Sequence, residues 1–194
     1  MNRRAMQTIF IKHKRAIGVA FVIILIYLLI KPKQYDYSHS VFIPKIHPSD
    51  AWEFVADFSN MKYLNPTIVS FNVLSESGNY EHWRYSVEYM EDLSHWPYLS
   101  NTAIAHFDVK ALPKQNIYYI LSAHNTCFFL GLICLESTDE FKFSENSSTK
   151  GAFCEEYTQY QCPSILAKFC EREVRFQRDA IMNNLKKHFT KTNT

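Results

Sequence analysis

The hydrophobic positions of this chain recur with two periods: two residues along most of its length, and three to four residues near its C-terminus. Residues 80–90 read YEHWRYSVEYM, with aromatic or apolar side chains at every second position from Trp83 to Tyr89. Successive side chains of a strand point to opposite faces, so this alternation predicts a strand with one apolar face. Similar alternation, or a short apolar run, predicts further strands over 38–46, 67–77, 101–112, 116–123, 130–143 and 150–160.

Two segments carry the helical period instead. Residues 47–66 read HPSDAWEFVADFSNMKYLNP; Ser49 is a candidate N-cap, and Pro66 ends a second, shorter helical turn. The apolar side of the first helix consists of Trp52, Phe54, Val55 and Phe58. Residues 164–189 contain neither proline nor glycine and predict one long amphipathic helix. Its apolar residues recur at spacings of three and four: Leu166, Phe169, Cys170, Val174, Ile181, Leu185 and Phe189.

The predicted order is therefore a strand, two short helices, six strands and a long C-terminal helix. Helices segregated to one side of an antiparallel sheet define an α+β fold. Because a single long helix must cover the apolar face of about seven strands, we expect the sheet to curl around that helix. A curled sheet encloses a cavity wherever its inward side chains do not fill the space, and the short helices would close one end of it.

An apolar run, AIGVAFVIILIYLLI, occupies residues 16–30 and follows a basic tail at residues 1–15. We interpret it as a single-pass transmembrane signal anchor. The run is shorter than the roughly 20 apolar residues that a bilayer span needs, and snorkelling of Arg15 and Lys31 would make up the difference. The alternatives are a cleaved signal peptide, a mitochondrial presequence and a buried helix.

The basic residues before the run outnumber those that follow it closely. The positive-inside rule then leaves the N-terminus in the cytosol and predicts a lumenal or extracellular domain in the endomembrane system. A lumenal domain could also use the glycosylation sequon at Asn146. The predicted organisation is a basic tail at 1–15, an anchor at 16–30, a linker at 31–37 and a folded domain at 38–190.

The opening of the folded domain resembles the helix-grip fold of the START-like superfamily, also called SRPBCC. This superfamily includes birch-pollen-allergen-like proteins, polyketide cyclases and coenzyme Q-binding proteins. The resemblance implies a curved sheet around a C-terminal helix and an internal cavity, in a superfamily of lipid carriers, hormone receptors and a few enzymes. The matching positions are Pro48, Ala51, Trp52, Phe54, Val55, Asp57, Phe58 and Asn60, followed by Tyr63 and Pro66.

Composition excludes several function classes. The net charge is only +2, which argues against a nucleic-acid partner, and with 4 glycines the chain has no phosphate-binding loop motif. The five cysteines fit no zinc pattern. They predict either small buried apolar residues or, in a lumenal domain, one or two disulfides of open pairing with at least one free thiol.

Catalytic signatures are weak. None of the eight histidines shows HxxxH spacing, and Glu155 and Glu156 would point to opposite faces of a strand. We expect His106 and His124 to point away from the face that carries Phe107, or to lie at a strand end. The sequence therefore predicts no catalytic residue, no metal and no cofactor.

The aromatic face of the sheet is the better candidate site. Tyrosine hydroxyls on a mostly apolar wall could orient a hydrophobic ligand of a few hundred cubic ångströms. We expect non-catalytic binding, as a carrier or sensor, of a lipid or other hydrophobic small molecule; a tethered protein-interaction domain with a filled core and, less favoured, a cyclase-like enzyme are the alternatives. The predicted cavity wall consists of Trp83, Tyr85, Val87, Tyr89, Phe107, Val109, Tyr119, Leu121 and Ile181.

Overall fold

The strands and helices follow one another in the predicted order. The structure is a computed structural model and describes residues 3–128, 131–145 and 150–192. Its elements are α1 (Arg3–Ile30), β1 (Pro32–Pro44), α2 (Pro48–Ala56), α3 (Phe58–Leu64), β2 (Ile68–Asn79), β3 (His82–Leu93), β4 (Trp96–Leu112), β5 (Ile117–Phe128), β6 (Ile133–Glu145), β7 (Gly151–Pro163) and α4 (Ala167–Thr192).

The strands form one curved antiparallel sheet of seven, in the order β1-β7-β6-β5-β4-β3-β2. β1 comes first in the chain and pairs with β7, so β1 and β2 are the two edge strands of the sheet. The connection between them contains α2 and α3 and crosses the open end of the sheet. α4 lies against the concave face. At one edge, Asp179 of α4 accepts a hydrogen bond from Tyr37 of β1 at 2.7 Å. Further along α4, the Asn184 side chain donates a hydrogen bond to the Leu64 carbonyl of α3 at 3.0 Å.

The core lies between the sheet and the helices. Ile181, Met182 and Leu185 of α4 are fully buried and belong to the same hydrophobic cluster as Phe143 of the sheet and Trp52 of α2. The predicted period of three to four residues therefore does place one face of α4 in the core.

α2 and α3 are short because each begins and ends at a polar cap. His47, rather than the predicted Ser49, caps α2: its side chain accepts a hydrogen bond from the Ser49 amide at 3.3 Å. Asp57 caps α3 in the same way, accepting from the Ser59 amide at 2.9 Å. Trp52 anchors α2 to the sheet through a hydrogen bond from its indole nitrogen to the Tyr119 carbonyl at 3.1 Å.

Two predictions for the N-terminal region are wrong. No helix within the described residues is both long enough and apolar enough to cross a membrane, which overturns the single-pass anchor at 16–30 and the endomembrane location inferred from it. At a rise of 1.5 Å per residue, that run spans about 22 Å, less than the roughly 30 Å hydrocarbon core of a bilayer. Residues 31–37 are not a linker either, because β1 starts at Pro32 and pairs there with Pro163. The Asn146 sequon lies outside the described residues.

Four cysteines form two disulfides. Cys127–Cys134 joins directly opposite residues of β5 and β6, and Cys162–Cys170 joins the end of β7 to the first turns of α4. Cys154 is a buried free thiol. The second disulfide therefore holds the N-terminal end of α4 against the sheet.

Candidate functional site

The concave face of β3 and β4 carries most of the predicted cavity wall. Trp83 lies opposite Val109 and Tyr85 opposite Phe107 across the two strands. The Tyr85 and Phe107 rings stack with centroids 4.6 Å apart. Val87 and Tyr89 continue the same face, and Ile181 of α4 packs against it.

Tyr119 and Leu121 lie on the opposite face of β5, so their predicted place in the wall is a mistake. Ser122 is the direct partner of Phe107 on β4, and directly opposite residues share a face. Tyr118 and Ile120 therefore point inward, and both are buried. β5 carries apolar residues on both faces, so its alternation could not identify the inner one.

The same register brings His124 inward, contrary to prediction. Its ring forms a T-shaped pair with Phe107, with centroids 5.6 Å apart. His106 does point outward, where its Nδ1 lies 2.7 Å from the Ser86 hydroxyl.

Polar residues that the sequence had not predicted to lie together also meet in the interior. We refer to Tyr89, Glu91, Ser122, His124, Asp139, Glu156 and Arg178 as the buried polar cluster. They come from β3, β5, β6, β7 and α4. The strand members of this cluster all lie on the inward face of their strands. The sequence could have indicated this, because a charged residue that follows an inward apolar residue by two positions, as Glu91 follows Tyr89, must point inward as well.

A chain of hydrogen bonds links five members of this cluster. The Tyr89 hydroxyl lies 2.8 Å from His124 Nδ1, and His124 Nε2 lies 3.0 Å from Asp139 Oδ2. Arg178 donates through Nη2 to Asp139 at 3.0 Å and through Nη1 to Glu156 at 2.8 Å. One guanidinium thus donates one charge-assisted hydrogen bond to each of two carboxyl groups.

All of these acids are buried, but their charged neighbours give them different pKa values. Burial raises the pKa of Glu156 to about 8, even though Arg178 opposes the shift. Burial also disfavours ionisation of Asp139, but Arg178 and His124 outweigh it and hold the pKa of that carboxyl well below its usual value. The pKa of Glu91 is raised, chiefly by burial. The interior therefore combines an ionised Arg178–Asp139 pair with two acids that resist ionisation.

Two cavities border this cluster. A deep cavity of about 30 Å³ is lined by Phe58, Phe107, Phe141 and Ile181 together with Tyr89, Glu91, His124, Asp139 and Arg178. A larger cavity of about 120 Å³ lies nearer the N-terminal end of α4 and shares Tyr89, Glu91 and Arg178 with the first. We refer to these as the deep cavity and the outer cavity.

Trp83 and Tyr85 border a different space, a cleft of about 340 Å³ between α2, α3 and the β2–β3 hairpin. Val87 and Val109 are fully buried in the core. The structure thus divides the predicted wall between the core, the cleft and the two cavities, with Tyr89, Phe107 and Ile181 at the deep cavity.

Within the part of the chain that the structure describes, no group of three or more His, Cys, Asp or Glu side chains is arranged to hold a metal ion.

Neither a protein-family model nor a curated protein matches this sequence. Solved structures do resemble the fold. The Zhui aromatase/cyclase from Streptomyces sp. R1128 is 12% identical, with a TM-score of 0.58 over 84% of this chain and 97% of that chain. Ara h 8.0201 is 11% identical, with a TM-score of 0.52 over 82% and 99%. A norcoclaurine synthase point mutant from Thalictrum flavum is 10% identical, with a TM-score of 0.51 over 85% and 99%.

At such low identities, these likenesses concern the fold and do not transfer an activity. They agree with the observed topology: a curved seven-stranded antiparallel sheet, two short helices at its open end and a long C-terminal helix along its concave face. The fold predicted from the order of elements is confirmed: the chain has a helix-grip fold, with a curved antiparallel sheet around a long C-terminal helix.

Proposed function

We propose that this chain binds a compact hydrophobic small molecule in its outer cavity, as a carrier or sensor rather than as an enzyme. The observation that carries the proposal is the division of the cavity wall. One part is an apolar patch of Leu93, Phe128, Leu135, Phe169 and Val174, whereas most of the remaining lining residues are polar, and Tyr89, Glu91 and Arg178 lie at the base. Apolar side chains supply the burial that holds a hydrophobic ligand, and polar groups beside them can fix its orientation.

The cavity size narrows the ligand class. At about 120 Å³, the outer cavity is well below the roughly 300–1,000 Å³ of pockets that hold drug-sized ligands. A compact molecule fits this volume, whereas a full lipid would require α4 to move away from the sheet. The larger cleft near Trp83 is a weaker candidate, since the exposed side chains Glu53, Glu76 and Tyr80 line it.

The structural neighbours support ligand binding in general terms. The norcoclaurine synthase mutant is described in complex with a transition-state analogue, so at least one protein of this fold holds a small molecule. Its name and that of the aromatase/cyclase also show that some proteins of this fold are enzymes.

The test is native mass spectrometry of the full chain, followed by extraction and identification of any molecule that co-purifies. A Leu135→Trp variant fills the outer cavity and should abolish that bound mass. Leu121→Trp is the matched control, because it makes the same substitution on the convex face and should leave binding unchanged. A wild-type protein that carries no ligand and gains none from a panel of small hydrophobic molecules would refute the proposal and favour an interaction domain with a filled core.

A second candidate function is acid–base catalysis on the bound molecule. The observation that favours it is the Tyr89–His124–Asp139 chain, in which a buried phenol at the cavity wall is hydrogen-bonded to an imidazole that a carboxylate orients. A Tyr89→Phe variant separates the two functions. Catalysis predicts that the variant accumulates an unreacted molecule different from the one bound to the wild type, whereas a carrier binds the same molecule in both.

A further inference from the structure

We infer that the polar group of this ligand is a protonated amine and that the Glu91 carboxylate is its counter-ion in the outer cavity. The inference rests on the proposed function and adds the chemical class of the ligand to it. It depends on three features of the described residues at the cavity base: a carboxyl group with no basic group within 4.0 Å, an adjacent acceptor that has no hydrogen-bond partner, and an arginine whose charge is already matched by Asp139.

Glu91 stands on the inner face of β3, is only 6% exposed and lines both cavities. Its carboxylate accepts neutral hydrogen bonds from Asn65 at 3.2 Å and from Thr67 at 3.4 Å. Within the described residues, it has no basic group within 4.0 Å. The other buried carboxyl groups differ: Asp139 and Glu156 both pair with Arg178, and Glu173 pairs with Arg172 at 3.3 Å.

Asn101 of β4 is the direct cross-strand partner of Glu91. Its side chain is 5% exposed, lines the outer cavity and leaves its Oδ1 atom without a hydrogen-bond partner among the described residues. Directly opposite Cβ atoms are about 4.5–5.5 Å apart, so one ligand group can reach both side chains. Two adjacent buried acceptors call for a donor, and an ammonium group brings three N–H donors to one point.

Arg178 does not supply the missing cation. Its two terminal nitrogens are engaged with Asp139 and Glu156, and its remaining Nε–H has no partner among the described residues. The charge of the guanidinium is matched by Asp139. Burial raises the pKa of Glu91 despite Arg178 and His124, and a cation beside the carboxylate would oppose that shift and favour its ionised form.

The experiment compares three probes that share one chain and differ in the head group: hexylamine, hexanol and hexanoate. Calorimetric titration into the full-length wild type should rank them in that order, with the amine bound about tenfold more tightly than the alcohol. Glu91→Gln should reduce amine affinity by about tenfold and leave the affinity for hexanol unchanged. Glutamine is isosteric with glutamate, and a thermal unfolding midpoint equal to that of the wild type shows that the variant keeps the fold.

Glu88→Gln is the matched control, since it removes the same charge from the exposed, outward face of β3 and should change no affinity. Leu135→Trp should abolish binding of all probes and so show that they enter the outer cavity. Equal affinities for amine and alcohol, or an amine preference that survives in Glu91→Gln, would overturn the inference while leaving the proposed function intact. If no probe binds, the inference and the proposed function both fail.

Discussion

Replacement of Glu156 by glutamine should make the protein more stable at neutral pH, although it changes a buried carboxyl group that is hydrogen-bonded to Arg178. The Glu156 carboxyl is 2% exposed and accepts a hydrogen bond from Arg178 through Oε1. Its Oε2 atom is buried and has no hydrogen-bond partner among the described residues. Arg178 is also shared with Asp139, whose carboxylate stays ionised. An ionised Glu156 would therefore lose its hydration, and the attraction of Arg178, which already neutralises Asp139, would compensate only part of that loss.

The magnitude follows from proton linkage. Burial raises the pKa of Glu156 from 4.5 in its ordinary state to about 8 in the folded protein. The folded state then holds this proton while the unfolded state releases it, so stability is fully present below pH 4.5 and is lost as the pH rises towards 8. Each pH unit in this window costs about 1.4 kcal/mol, which amounts to about 3 kcal/mol at neutral pH. Glutamine does not titrate and avoids that cost.

The assay is urea denaturation of wild type and Glu156→Gln with both disulfides intact, across the window from pH 4.5 to about pH 8. We expect the variant to be more stable by about 2–3 kcal/mol at neutral pH, and the difference to shrink below about 0.5 kcal/mol at the acidic end. The control is Glu155→Gln, which removes an outward carboxylate paired with Lys142 at 3.6 Å and should change stability by at most about 0.5 kcal/mol.

One result would refute this reasoning. If Glu156→Gln is less stable than the wild type at neutral pH, or if the difference does not depend on pH, then Glu156 is ionised in the folded protein and Arg178 outweighs burial.

Three further predictions concern the same interior and its crosslinks. Arg178→Met leaves Asp139 buried without its cation and should lower the free energy of unfolding by about 3–5 kcal/mol in urea denaturation; an unchanged midpoint would contradict the observed pairing. Replacing both Cys162 and Cys170 with serine opens a crosslink between residues 8 apart and should cost about 2.5 kcal/mol from chain entropy, measured against the oxidised wild type; equal stability would show that the disulfide does not constrain the unfolded chain. Because burial raises the pKa of the Cys154 thiol to about 12, a thiol reagent should label it only after unfolding, and rapid labelling of the folded protein would show that the thiol is accessible.

Sequence periodicity predicted the architecture well where one face of an element is consistently apolar. On β3, every inward position from Trp83 to Tyr89 is aromatic or aliphatic, so the concave face could be identified without a structure. The same reasoning failed on β5, where Tyr119 and Leu121 are as apolar as their inward neighbours. Its inner face is decided by the pairing of Phe107 with Ser122, which is a property of two strands together.

The N-terminal run shows a different limit. Residues 16–30 are apolar on every side, and apolar composition alone favoured a membrane span. The run is shorter than the roughly 20 apolar residues that a bilayer span needs, which argued against that interpretation. The structure agrees, because no helix within the described residues is both long enough and apolar enough to cross a membrane. β1 also extends back to Pro32 because β7 offers partners as far as Pro163, and no local signal in the predicted linker indicated that pairing.

The order of elements, the curved sheet and the apolar face of α4 could be predicted because they depend on hydrophobic periods within single segments. Which charges meet could not be predicted, because it depends on contacts between segments. Glu91, His124, Asp139, Glu156 and Arg178 come from five elements, and their pairing and pKa values arise from burial and from distances of a few ångströms across the sheet. A local pattern can place such a residue on a face, but its neighbours on that face are set by strand register and by the docking of α4.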